Sequence, residues 1–243
     1  MTRVDEEPQC VILAGGLSTR MHPRTRDVPK LLLPVRGRPF AAWLLERLSS
    51  SGFRDVVLCI GHLGAMIREA VGEGGQYGVR VRYSDEGALR LGTAGALRHA
   101  VDLLNPSFLV TYGDSYLPFD YGAPLADLRA HEESLATMAV YPNSDRFEPS
   151  NVEIRGGLVV RYQKRRTSDP PDPALDHIDY GAMALRREVI LALPRGEAVG
   201  LDAVQAGLAG GGRMRALVVN ERFYEIGSEA GLAALDAALS RSQ

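Results

Sequence analysis

Residues 10–20 read Cys10-Val11-Ile12-Leu13-Ala14-Gly15-Gly16-Leu17-Ser18-Thr19-Arg20. The unbroken apolar run at the start predicts a strand buried on both faces, and the glycine pair ends it in a tight loop. In an open α/β sheet, ligands gather beyond the carboxyl ends of the strands, so this loop stands where a ligand would bind. Gly15 and Gly16 let backbone N–H groups approach an anion closely. Arg20 can fork onto phosphate oxygens, and Lys30, ten residues further on, adds a point charge. Two cations around a glycine turn suit a triphosphate. Taken alone, Gly-Gly after a strand is equally an ordinary turn, and Lys30 equally an exposed lysine at a strand edge. The loop lacks the Gly-x-Gly-x-x-Gly of dinucleotide sites and the Gly-Lys-Ser/Thr ending of a P-loop, which argues against a nicotinamide enzyme.

Outward from the loop, apolar runs alternate with segments of helical period. Phe40, Leu44 and Leu48 predict a helix from about Pro39 to Gly52, and Val56–Ile60 the next strand. A helix over Leu63–Val71, a strand over Val79–Tyr83, a helical face of Ala94, Leu97, Val101 and Leu104, and a strand over Phe108–Tyr112 follow. This βαβα rhythm implies a mainly parallel sheet covered by helices. In the second half, Leu135–Tyr141, Val152–Ile154, Leu158–Tyr162, Tyr180–Leu185 and Met214–Val219 read as strands joined by loops rather than helices. Leu232, Leu235 and Leu239 line a terminal helix. Lys164–Asp176, with three prolines and no apolar period, reads as a mobile loop expected to close over a ligand. The expectation is one compact domain of two halves, about residues 1–120 carrying the ligand loop and about 121–243 following it.

A net charge of −2 over 243 residues gives no support for a nucleic-acid partner. No apolar run approaches the ~18 residues of a membrane span. Asp5, Glu6, Glu7 and Pro8 are wrong for a signal peptide, and the only two cysteines, Cys10 and Cys59, lie in strand-like runs as free thiols. A cytoplasmic protein without membrane contact is expected; oligomeric state is not legible. The five histidines are scattered without metal-ligand spacing.

Asp114 follows Gly113 at the end of the Phe108–Tyr112 strand, on the same sheet edge as the first loop. Mg²⁺ takes oxygen ligands, commonly one or two carboxylates plus waters and phosphates. A turn aspartate or helix cap is the plain alternative.

Leu13 to Val35 reads L-A-G-G-L-S-T-R, nine residues, then K-L-L-L-P-V with Pro29 before the lysine. This resembles the signature of the sugar-1-phosphate nucleotidylyltransferases (nucleotide-sugar pyrophosphorylases). The resemblance continues through Leu91-Gly92-Thr93-Ala94-Gly95, Gly113-Asp114 and Tyr224-Glu225-Ile226-Gly227, so it covers nearly the whole chain. In length and motifs it is most similar to heptose 1-phosphate guanylyltransferases, with N-acetylmuramate 1-phosphate uridylyltransferases next. It implies a Rossmann-like three-layer α/β sandwich with a mixed, mostly parallel sheet, like glycosyltransferase type A. It also implies Mg²⁺ as cofactor, and a nucleoside triphosphate and a sugar 1-phosphate as partners. By resemblance, Arg20 and Lys30 are catalytic, and Leu13, Ala14, Gly15, Gly16, Glu86, Gly92, Thr93 and Gly113 bind nucleotide. Asn151, Gln163, Lys164, Asp179, Tyr180 and Gly181 bind the sugar phosphate; Asp114 and Glu225 hold the metal.

The chain departs from the pattern at Ser18 (usually Gly), Leu31 (usually Pro), Gln163 (usually Glu) and Glu225 (usually Asp). Asp179-Tyr180-Gly181-Ala182 lacks the Asn that usually precedes the small pair. These changes leave open a non-catalytic relative that binds nucleotide sugars. Glu86 stands where several pyrimidine enzymes carry Gln. A carboxylate only accepts hydrogen bonds, which suits the donor pair of guanine and favours GTP, although Glu86 is equally a solvated turn residue.

Overall fold

The computed structural model describes residues 7–16, 21 and 24–240. Arg20, Ser18 and His22 lie outside them. Nine strands form one mixed sheet in the order β5-β4-β1-β6-β11-β8-β12-β10-β9. The first-half strands β1 (Gln9–Leu13), β4 (Asp55–Ile60), β5 (Arg80–Asp85) and β6 (Ser107–Tyr112) pair in parallel. From β1 the chain steps outward to β4 and β5, then returns to place β6 on the other side of β1. That reversal opens a crevice at the carboxyl ends of β1 and β6.

Strand parity explains the layers. Cys10 and Ile12 of β1, with Val56, Leu58 and Ile60 of β4, enter one core together with α1 (Phe40–Ser50), α2 (Gly64–Val71) and α7 (Glu229–Ser240). Val11, Val57, Phe108 and Val110 enter the other, against α3 (Gly92–His99) and α6 (Leu201–Gly210). Every residue of β4 is buried, so its apolar run shows no alternation. The helical face continuing from Ala94 to Leu104 is split, because α3 ends at His99 and a 3₁₀ turn over Val101–Leu103 keeps Val101 inward.

The second half departs from expectation. Three helices join its strands instead of loops: α4 (Ala123–Ala130), α5 (Arg187–Leu191) and α6. Their sequences hid them: α4 carries a proline in its first turn, α5 is five residues long, and α6 is rich in alanine and glycine. The central strand β11 (His177–Arg186) is antiparallel to both β6 and β8 (Ala136–Pro142), and its register breaks between Asp179 and Met183. β12 (Met214–Val218) runs parallel to β8, while β9 (Val152–Arg155) and β10 (Leu158–Tyr162) close the sheet as an antiparallel pair. Two short ribbons, β2–β3 (Pro34–Val35, Arg38–Pro39) and β7–β13 (Ser115–Tyr116, Tyr224–Glu225), stand outside it.

The 164–176 segment has no regular structure, yet it is tied down rather than free. The Arg165 side chain is 3% exposed and donates to the carbonyls of Ser150 (2.9 Å) and Pro170 (2.8 Å). Arg161 holds Asp172 at 2.8 Å, and Leu175 is buried. No helix among the described residues is long and apolar enough to cross a membrane.

Candidate active site

The crevice at the β1–β6 reversal is a cavity of about 620 Å³. Backbone bonds stitch its floor: Ala14 N–H donates to Cys59 O at 2.9 Å, and Gly113 N–H to Leu13 O at 3.0 Å. Of the residues expected to act here, Leu13, Ala14, Gly15, Gly16, Lys30, Glu86, Gly92, Thr93, Gly113 and Asp114 line it together. Burial pushes the Cys59 thiol on the cavity wall up to about 12, so it stays protonated and is no nucleophile.

Lys30 sits in a 3₁₀ turn, Lys30–Leu32, entered through the extended Pro29. Leu31 and Leu33 anchor the turn in the core, so the unusual leucine after the lysine has a packing role. Lys30 Nζ donates to Asp114 Oδ2 at 2.8 Å, joining the two residues across 84 positions of sequence.

Glu86 reaches in from the end of β5. Its Oε2 is buried and has no hydrogen-bond partner among the described residues. Burial raises its carboxyl above the usual range, against an opposing hydrogen bond from the Leu91 backbone. A Cβ on Gly15 would stand 3.2 Å from Glu86 Oε1, so the glycine there is what admits the carboxylate.

The Leu91–Gly95 motif does more than face the cavity. Gly92 has φ +70°, and a Cβ there would meet Val199 O at 2.6 Å. Ala94 and Gly95 N–H groups both donate to that carbonyl, and Thr93 Oγ1 accepts from Leu201 N–H at 2.7 Å. The motif therefore locks the start of α6 against the start of α3.

Asp114 and Glu225 come close through the β7–β13 ribbon. Glu225 pairs in register with Ser115, and Ile226 N–H donates to Asp114 O at 2.9 Å. Glu225 is exposed. Among the described residues no group of three or more His, Cys, Asp or Glu could hold a metal.

A second polar cluster adjoins the cavity. Asn151 Oδ1 accepts from Asp179 N–H at 2.9 Å, and Asp179 takes Gly181 N–H on Oδ1 at 2.9 Å and Gln205 Nε2 on Oδ2 at 2.8 Å. Burial lifts Asp179 to about 6 despite those two donors. Lys164 lies 3.6 Å from Asp202, and Gln163 stands exposed beside it at the end of β10. Tyr112 links the clusters: it lines the cavity, and its phenol is pushed up by burial and then by Asp179, Tyr162, Asp114 and Asp202.

Tyr180, expected in the sugar pocket, is elsewhere. It is 1% exposed and packs edge-on against Phe119 (5.1 Å) and Phe223 (5.8 Å) on the opposite sheet face from Asp179. Strand alternation puts it there. Sequence reasoning also missed His62 and His99, which line the cavity, and Gln205, which is 1% exposed. A glutamine between Leu201 and Leu208 on one helical face was the available signal.

The nucleotidyl transferase family model matches residues 9–149, more than half the chain. N-acetylmuramate alpha-1-phosphate uridylyltransferase of Neisseria meningitidis is 42% identical over 116 residues, 47% of this chain and 50% of that protein. D-glycero-alpha-D-manno-heptose 1-phosphate guanylyltransferase of Campylobacter jejuni is 28% identical over 158 residues, 65% of this chain and 68% of its own. The chain thus spans about half the length of the first relative. Among solved structures, HddC from Yersinia pseudotuberculosis complexed with GMP-PN superposes with a TM-score of 0.79 at 22% identity, covering 96% of this chain and 99% of that one. At that identity the likeness is one of fold. A family match that spans the cavity loop, Lys30, Glu86 and Asp114 settles the affiliation: the chain belongs to the nucleotidyl transferase family.

Proposed function

We propose that the chain transfers a nucleotidyl group from a nucleoside triphosphate, with GTP favoured, to a sugar 1-phosphate, releasing pyrophosphate. The observation that carries the reading is the meeting of Lys30, Asp114 and Glu86 in one cavity at the sheet's reversal point. The sugar-phosphate oxygen is already anionic at neutral pH, so the reaction needs charge neutralisation and alignment rather than a general base. Lys30 stabilises charge developing on the departing pyrophosphate. Arg20, outside the described residues, is assigned the same task by its place in the motif.

The donor set fits Mg²⁺: Asp114, immediately before the β7–β13 ribbon, and Glu225 within it offer hard oxygen ligands, and Mg²⁺ commonly uses one or two carboxylates. When bound, the ion would neutralise phosphate charge. Asn151, Gln163, Lys164, Asp179 and Gly181 are proposed to receive the sugar phosphate; Tyr180 drops out of that set.

GTP is favoured because the orphaned Glu86 oxygen is an acceptor awaiting donors, and guanine presents two. The 42% identity to a uridylyltransferase over 47% of the chain supports UTP as the second reading. Pyrophosphate release measured with GTP, UTP, dTTP and CTP decides between them. Glu86→Gln should lower kcat/KM for GTP by about 10-fold or more and raise the relative use of UTP. An unchanged preference order removes Glu86 as the base selector.

A further inference from the structure

Lys30 Nζ occupies one oxygen, Oδ2, of the Asp114 carboxylate. The contact is 2.8 Å, with 13% of the Lys30 side chain and 29% of that of Asp114 exposed. Lys30 is held there by its own turn, whose neighbours Leu31 and Leu33 are buried. Two cations at one carboxylate oxygen repel strongly where screening by water is incomplete. An ammonium bonded to Oδ2 therefore excludes a divalent ion from that oxygen.

We propose that Lys30 is a stand-in cation for the metal position, so that the divalent ion engages Asp114 only with or after the triphosphate. The triphosphate gives Lys30 another anion. The ammonium shifts from the carboxylate to phosphate oxygens, and Oδ2 becomes free for the ion. One lysine then has two successive partners, and the order of binding follows from electrostatics rather than from a moving domain. The inference rests on Asp114 being a metal ligand, as proposed above.

Mn²⁺ serves as the probe, with free ion read from its electron paramagnetic resonance signal in titrations of the full chain. Without nucleotide, Lys30→Gln should bind Mn²⁺ about 10-fold more tightly than wild type, while Lys30→Arg should bind as weakly as wild type. With a non-hydrolysable GTP or UTP analogue the advantage of Lys30→Gln should vanish. Equal Mn²⁺ affinity for wild type and Lys30→Gln without nucleotide overturns the proposal. Lys30→Met gives the same comparison if the glutamine variant is unstable. Asp114→Asn separates this failure from that of the parent reading: without nucleotide, where no triphosphate competes for the ion, adding it to Lys30→Gln should weaken Mn²⁺ binding about 10-fold or more. A double variant that binds Mn²⁺ as Lys30→Gln does means that Asp114 is not the ligand.

Discussion

The two polar clusters at the sheet rim are built on opposite plans. Around the cavity, polar side chains have spare capacity: Glu86 has an orphaned oxygen, and Lys30 and Asp114 are joined by one ion pair. In the adjoining cluster Asp179 is already served, with Asn151 and Gln205 both committed to it, although Gln205 Oε1 has no partner among the described residues. In the proposed function the first arrangement would be completed by a nucleotide, with the base donating to Glu86 and the phosphates pairing with Lys30. The second is pre-bonded, so a ligand there must exchange hydrogen bonds and is selected by geometry rather than by charge. The contrast matches a polyanion on one side and a hydroxyl-rich sugar on the other.

The largest expected effect lies in the charged cluster. Asp114→Ala or Lys30→Ala should lower turnover about 10²-fold, as loss of an electrostatic stabiliser does. Lys164→Ala should act differently, raising KM for the sugar phosphate while leaving KM for the triphosphate unchanged. Steady-state kinetics with each substrate varied in turn checks both. Equal damage to triphosphate KM from Lys164→Ala would break the division between the clusters.

Next is the junction of the clusters, the Gly92 turn on which α6 and Gln205 depend. Gly92→Ala meets both a left-handed φ of +70° and Val199 O at 2.6 Å, a backbone atom that cannot give way cheaply. A loss of about 2 kcal/mol is expected, seen as a fall of roughly 4–8 °C in melting temperature. Gly15→Ala meets chiefly the flexible end of Glu86, at 3.2 Å. It should shift nucleotide KM with a smaller change in melting temperature. Thermal melts and triphosphate kinetics on the two variants sharpen the comparison by separating a packing glycine from a site glycine.

The charged cluster was legible in the sequence, whereas of the pre-bonded one Asn151 and Asp179 were named only through the resemblance and Gln205 was missed, for physical reasons. Asp114 and the Gly15–Gly16 loop follow the ends of short, almost wholly buried strands, where chain order alone fixes which edge they occupy, and Lys30 is set beside them by a turn anchored through Leu31. The neighbouring cluster depends on a broken register in β11 and on α6, a helix rich in alanine and glycine whose apolar face is thin, only Leu201 and Leu208 flanking Gln205. Gln205 could not be placed without that helix. Tyr180 was misassigned because the motif names a stretch of residues, whereas a strand sends alternate side chains to opposite faces. The anchoring of residues 164–176 came from Arg165, whose buried guanidinium no pattern of polarity announces.

The smallest effect tests whether the pre-bonded cluster carries an internal electrostatic cost. Burial lifts Asp179 to about 6, above the ordinary aspartate range, so between about pH 4 and 6 the folded chain holds a proton that the unfolded chain has released. The sign follows: this contribution to stability is full below the unfolded value and is lost as pH rises through about 6. Asp179→Asn cannot ionise and should lack that slope. Gln205 can turn its amide to receive the new side chain, because its Oε1 has no partner among the described residues. The absolute offset between wild type and variant thus mixes several bonds, but its change with pH isolates the carboxyl. Melting curves at intervals from pH 4.5 to 7.5, about the range over which the carboxyl titrates, should show wild type losing ground to Asp179→Asn by on the order of 2 kcal/mol. Parallel curves would mean that solvent reaches Asp179 freely, and that the second cluster is as open to charge as the first.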